Sequence, residues 1–162
     1  MQYAGQALTM RAQSSAELRT RLLKKGQPAD VDAVIAKLKE NGYLDDTKFA
    51  AAYADWRRDN EGFGKTRVLR DLIGRKVPSS VAKAASDAAF QATDETEMIE
   101  AYLTRKYRGK DLPTLLKEEK GLAAAFRRLR SAGFSTSNSI RVLKRFSAKA
   151  DELEDSEPIE ES

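Results

Sequence analysis

The sequence predicts an all-α fold of about nine helices, arranged as three tandem three-helix repeats in a curved, elongated stack. Three observations carry that expectation. Apolar residues recur at helical spacing along almost the whole chain, with short breaks between periodic segments. The composition suits helix, with 33% charged and 7% aromatic residues and only four prolines and nine glycines among 162 residues. The chain also repeats itself at an offset of 50 residues, pairing Leu18 with Val68, Leu22 with Leu72, Leu23 with Ile73, Lys25 with Arg75, Pro28 with Pro78 and Val31 with Val81. A fainter third copy runs through Phe126, Leu129, Gly133, Phe134, Ile140, Leu143 and Phe146. Units that recur in this way build one core by covering each other's apolar faces.

In chain order, the helices are expected at 3–13, 15–25, 29–41, 46–60, 64–75, 79–92, 95–108, 115–132 and 136–149. The second starts at Ser14-Ser15-Ala16-Glu17, which has capping-box spacing: a hydroxyl accepts from an orphan backbone N–H and a carboxylate reaches back. Asn41-Gly42 closes the third, and Asp45 caps the fourth, whose buried stripe would be Phe49, Tyr53 and Trp56. Grouped in threes, the helices place the first repeat at 1–60, the second at 61–93 with a flanking helix, and the third at 94–150. Residues 151–162 would be an acidic disordered tail.

The tail hides the character of the body. All 29 bases but only 18 of the 25 acids lie in residues 1–150, a net charge of +11, whereas the whole chain carries +4. A body of that sign attracts nucleic acid or an acidic protein surface, whereas a tail of the opposite sign would repel or mimic a polyanion, or simply be a solvated end that aids solubility. There is no cysteine, so neither a disulfide nor a thiolate metal site can form. There is no histidine either, which removes the commonest general base and zinc ligand. The expectation is therefore no enzyme, no catalytic residue, no metal and no cofactor. With no secretory leader pattern in Met1–Gln13 and no apolar run near the roughly 20 residues that span a bilayer, the expected location is the cytoplasm.

Three apparent motifs carry less than they promise. Gly62-Phe63-Gly64-Lys65-Thr66 ends like a phosphate-binding loop, but the first glycine of that motif would fall at Asp59 and a helix, not a strand, precedes it. It reads better as an interhelical turn. Asp45-Asp46 and Glu118-Glu119 are paired carboxylates whose sequence neighbours point apart on a helix, so capping and solvation account for them. Gly26 and Gly42 mark helix junctions without the polar recognition helix or dimer signal of a DNA-reading helix-turn-helix. What remains is basic: a central cluster and a dense run in the last two helices. The candidate contacts with a partner or with DNA are Arg57, Arg58, Lys65, Arg67, Arg70, Arg128, Arg141 and Arg145, chosen by charge and placement. Few aromatics are left over to stack on bases, so backbone contact is expected rather than sequence reading.

Particular residues also resemble a known family. Ala7-Leu8-Thr9-Met10-Arg11, Ser15-Ala16-Glu17-Leu18, Lys25-Gly26 and the run from Gly42-Tyr43-Leu44-Asp45-Asp46 to Ala50 resemble the opening of RecX regulatory proteins. Gly62 to Val68 leading to Asp71-Leu72 is similar to the family's glycine-rich turn and following helix. Arg105-Lys106-Tyr107 and Gly133-Phe134-Ser135 resemble its later markers. The resemblance covers about residues 7–146. It implies three tandem three-helix repeats that bind the RecA recombinase filament and inhibit its ATPase, strand-exchange and coprotease activities, in DNA repair, homologous recombination and the SOS response. Lys76 departs from the pattern, standing where the second repeat usually has glycine, and the third repeat is degenerate around Asn138. The acidic tail lies outside the match.

The expected mode of action is a basic surface, acting as a monomer, along the groove of the RecA–DNA filament, with weak contact to the DNA backbone. The competing expectation is a nonspecific single-stranded DNA-binding protein that displaces RecA by competition, which requires tight and steeply salt-dependent binding to bare DNA. A generic helical adaptor would share the fold and differ in its partner.

Overall fold

The computed structural model describes residues 12–156, and every regular element among them is helical. The chain divides into two compact units, one of residues up to Trp56 with Leu69–Gln91, the other of Arg57–Val68 with the residues from Ala92 onward. The helix expected at 3–13 lies outside the described residues except for its last two positions, which are not helical.

In the first unit, α1 (Ser15–Leu22) begins on the capping box read from the sequence. Glu17 N donates to Ser14 Oγ at 3.1 Å, and Ser14 N donates to Glu17 Oε2 at 3.0 Å. Helix α2 (Pro28–Glu40) starts with proline, whose missing N–H costs nothing in a first turn, and buries Val31, Ile35 and Leu38 against Leu18 and Leu22. It stops at Gly42, where Tyr43 N returns to Leu38 O at 2.9 Å and Gly42 N to Lys39 O at 3.1 Å. Helix α3 (Asp46–Trp56) is capped by Asp45, whose carboxylate accepts from Lys48 N at 3.0 Å.

The buried face of α3 differs from the expected aromatic stripe. Ala50 and Ala54 are fully buried, Phe49 and Tyr53 only partly, and Trp56 is 52% exposed. The reason lies in the partner, α5 (Ser79–Phe90), which presents Ala82, Ser86 and Ala89. Small residues on both faces let the two backbones approach, and the large rings are displaced to the flank. There Arg75 stacks its guanidinium on Phe49 and Tyr53, at 5.0 and 5.3 Å, and pairs with Glu17 at 2.5 Å.

Helix α4 (Lys65–Gly74) gives its first turn to the second unit and the rest to the first. It ends at Lys76, whose φ of 60° is the left-handed conformation a glycine would adopt without strain. Lys76 N donates to Ile73 O at 2.9 Å and Val77 N to Leu72 O at 3.2 Å, the same pair of bonds that Gly133 and Phe134 make to Arg130 and Leu129. The turn survives the loss of its glycine.

The second unit holds the larger core, with Ile99, Leu103, Leu116, Leu122, Leu129, Phe134, Val142 and Leu143 all nearly inaccessible. Helix α6 (Glu95–Lys106) is capped by Asp94. The single helix expected over 115–132 is two: α7 (Leu112–Lys117) and α8 (Glu119–Ser131), separated by an extended Glu118. They fold back so tightly that a Cβ on Gly121 would collide with Leu115 O. Helix α9 (Thr136–Leu143) ends earlier than expected, and a 3-10 helix follows at Ala148–Ser156. The tail read as disordered from residue 151 is therefore helical as far as 156, because Ala150 and Leu153 are buried in the unit's core. Lys144 pairs with Asp151 at 2.5 Å at its root.

Glu95 ties α6 to the start of α9. Its carboxylate accepts from Ser135 N at 2.8 Å, Ser135 Oγ at 2.6 Å and Asn138 Nδ2 at 2.5 Å. Burial alone would raise its pKa, but the hydrogen bonds from Ser135 and Asn138 outweigh burial and hold it below the ordinary 4.5. Because the unfolded chain then takes the proton more readily, this stabilisation is complete above about pH 4.5 and is lost as pH falls through the lower folded value. Glu95→Gln is expected to flatten the acid limb of the unfolding midpoint plotted against pH. An unchanged acid limb would assign that dependence to other carboxylates.

Candidate anion-binding concavity

The segment that mimics a phosphate loop is a joint between helix ends. Gly64 N donates to Ala132 O at 2.8 Å and Thr66 N to Gly133 O at 3.3 Å, so orphan N–H groups at the start of α4 meet orphan carbonyls at the end of α8. The approach leaves no room for a side chain on either glycine. A Cβ on Gly64 would press on Gly133 O, and one on Gly133 would fall well under 3.0 Å from Arg67 backbone atoms. Phe63 lies between two guanidiniums, Arg57 at 4.7 Å and Arg67 at 4.4 Å from its ring centre. Arg67 Nη1 also donates to Ser131 O at 3.1 Å, which fixes the head of that side chain at the C-terminal end of α8.

Beside this joint opens a concavity of about 450 Å³, lined by Arg67, Tyr102, Lys106, Ala124, Arg127, Arg128, Ser131 and Ala132. Four of the eight are cationic and none is acidic. Tyr102 forms the floor, buried edge-on to Phe134 at 5.6 Å, with Lys106 and Arg105 above its ring at 5.6 and 5.7 Å. Burial raises the Tyr102 phenol above its ordinary pKa, and the nearby Arg128, Arg105 and Arg67 only partly offset this, so it stays a neutral hydroxyl. Arg128 is steadied by the Tyr107 ring at 5.6 Å. Preplaced guanidiniums around a neutral floor attract phosphate or carboxylate oxygens and offer nothing to a cation.

Of the eight residues chosen from the sequence, the structure brings Arg67 and Arg128 into this concavity. Arg57 is committed to Phe63 and to Glu61 at 3.9 Å, and Arg58 makes a two-pronged bond to Asp59 at 2.7 and 3.0 Å. Arg145 pairs with Glu100. Lys65 and Arg141 are exposed at other positions of the second unit, and Arg70 is exposed on the part of α4 that belongs to the first. Sequence reasoning missed Lys106 and Arg127. The signal was present: Ala124, Arg127, Arg128 and Ser131 have the spacing of one helix face, and Lys106 follows Tyr102 by four residues. Among the described residues no helix is long and apolar enough to cross a membrane.

The fold and this recess define an all-α protein with an anion-attracting surface. No family profile matches the sequence, but individual relatives do. It is 34% identical over 140 residues to regulatory protein RecX of Xanthomonas citri, covering 86% of this chain and 82% of that one. It is 31% identical over 125 residues to RecX of Shigella sonnei, covering 69% and 72%. It is 35% identical over 106 residues to RecX of Mycolicibacterium vanbaalenii, covering 63% of this chain and 58% of that longer protein. A crystal structure of regulatory protein RecX superposes with a TM-score of 0.65 over 86% of this chain and 67% of that one, at 18% identity, and so shares the fold. The chain belongs to the RecX family of regulatory proteins.

Proposed function

We propose that this protein is a non-enzymatic, monomeric cytoplasmic regulator that binds the RecA nucleoprotein filament and inhibits its ATPase, recombinase and coprotease activities. Family membership supports the partner. The observation that carries the mode of contact is the acid-free recess formed by Arg67, Lys106, Arg127 and Arg128. These four are the proposed contacts for DNA phosphates or acidic side chains of the filament. Exposed Arg141, Lys65 and Arg70 are proposed as secondary contacts, as are Arg57, Arg58 and Arg145, whose positions are set by Glu61, Asp59 and Glu100. The three tandem repeats remain the proposed organisation, supported by the matching turns at Lys76 and Gly133.

The test is ATP hydrolysis by the cognate RecA on single-stranded DNA, titrated with this protein far below the RecA concentration. Inhibition is expected at such ratios, because a protein that acts on the filament need not cover the DNA. Inhibition that sets in only when the protein matches the available DNA sites would favour direct competition for the strand. No inhibition at any ratio would refute the proposed function.

A further inference from the structure

Lys76 holds a backbone conformation that costs any residue with a side chain, with φ at 60°, where the matching turn of the second unit has Gly133. Its ammonium is fixed from the other side. Lys76 Nζ donates to Thr20 Oγ1 at 2.9 Å, and that hydroxyl gives its own hydrogen to Ala16 O at 2.9 Å, so it can only accept from the lysine. Lys76 thereby stands on the wall of a recess of about 210 Å³ in the first unit, lined by Gln13, Glu17, Thr20, Arg21 and Lys76. All five are polar. Gln13 is 6% exposed, and Arg21, which can only donate, sets the orientation of its amide: Arg21 Nη1 donates to Gln13 Oε1 at 3.2 Å. That leaves Gln13 Nε2 buried and, among the described residues, without an acceptor. A buried donor in this position calls for an occupant that brings an oxygen. Glu17 is the one acid on the lining, and Arg75 holds both of its oxygens, at 2.5 and 3.0 Å.

We infer that this recess binds a single phosphate group, with Gln13, Arg21 and Lys76 as its donors. The sign of the charge follows from the partners. Arg21 and Lys76 each donate within the chain to a neutral acceptor, which positions the cation without neutralising it. The volume lies below the roughly 300 Å³ at which pockets for larger organic ligands begin, so it suits one small anion. The number of donors selects among anions, because three side chains match three oxygens of a tetrahedral group better than the two of a carboxylate. Free phosphate and the backbone of a nucleic-acid strand both present such a group. The site belongs to the first unit and does not depend on the reading of the recess in the second. It also gives the strain at Lys76 a use: glycine would make the same turn at less cost and leave the recess without its ammonium.

The test is a titration of the full chain with inorganic phosphate, followed by NMR at the isotope-labelled side-chain amide of Gln13, with chloride keeping the ionic strength constant. Saturable movement of the Gln13 Nε2 resonance is expected, and acetate over the same range is expected to bind more weakly. Lys76→Gly removes the ammonium and relieves the backbone, so this variant should unfold at no lower temperature than the parent. It is nevertheless expected to bind phosphate about tenfold more weakly, the loss of one charge-assisted contact. Arg127→Ala, which alters the recess of the second unit, should leave the Gln13 response as it was. No movement at Gln13, equal binding of acetate, or an affinity unaltered by Lys76→Gly would overturn the inference. A deoxythymidine oligonucleotide without terminal phosphates then identifies the source. If it moves the same resonance, the inference holds for strand phosphates; if only inorganic phosphate does, the inference holds for a free phosphate or phosphate monoester.

Discussion

Replacing Gly133 with alanine is expected to lower the stability of the protein by about 3–5 kcal/mol, a large share of the roughly 5–15 kcal/mol that holds a domain folded. Two costs combine. Gly133 has a φ of 91°, which strains a residue with a side chain by about 1–3 kcal/mol. The added methyl would also be driven into the backbone of Arg67, where helix α4 begins, and overpacking of that kind costs about 1–3 kcal/mol more. Relief would require parting the joint and breaking the bonds from Gly64 N to Ala132 O and from Thr66 N to Gly133 O. Gly109 separates the two causes, because its φ is 80° yet nothing lies within 4 Å of where its Cβ would stand. Urea unfolding is expected to show a loss of only about 1–2 kcal/mol for Gly109→Ala. Equal losses at both positions would mean that the backbone angle, not the close approach, makes Gly133 necessary.

Gly133 also shows how far the sequence could be read. It was visible as a point of the third copy and as a family marker, but nothing local told that it meets Gly64, because that contact joins residues almost 70 positions apart. Helix starts were the most legible features. Ser14 with Glu17, and Asp45, cap as their spacing required, since capping is chemistry within four residues. Helix faces were less legible. The stripe Phe49, Tyr53 and Trp56 has correct periodicity and large apolar area, yet α3 turns Ala50 and Ala54 inward because its partner offers only small residues. Periodicity says that a helix has an apolar face, not what will cover it. The division at Glu118 was hidden for the same reason, as it depends on Gly121 fitting beneath Leu115. Of the candidate site, the basic character was legible and the grouping was not. Charge alone could not distinguish Arg58, held by Asp59, from Arg127, which lines the recess.

That distinction leads to the other large expected effect. Arg127→Glu combined with Arg128→Glu is expected to weaken binding to the single-stranded DNA–RecA filament about 100-fold, two charge-assisted contacts at roughly 1.4 kcal/mol each. Both side chains are exposed, so the unfolding midpoint should move little, the loss of the Arg128 contact with Tyr107 accounting for about 0.5–1 kcal/mol. If the contacts are to DNA phosphates, the slope of log affinity against log salt should also become shallower by about 1 for each arginine removed. If they are to carboxylates of the recombinase, affinity should fall while binding to bare DNA is unchanged. Arg58→Glu is the informative control, since the Arg58 guanidinium is held by Asp59 outside the recess and the reversal alters total charge as much as either arginine does. An equal loss from Arg58→Glu alone and from Arg127→Glu alone would mean that the filament senses only the net charge of the body. A loss confined to Arg127 and Arg128 would mean that it reads the recess, where four cations and no acidic residue line one concavity.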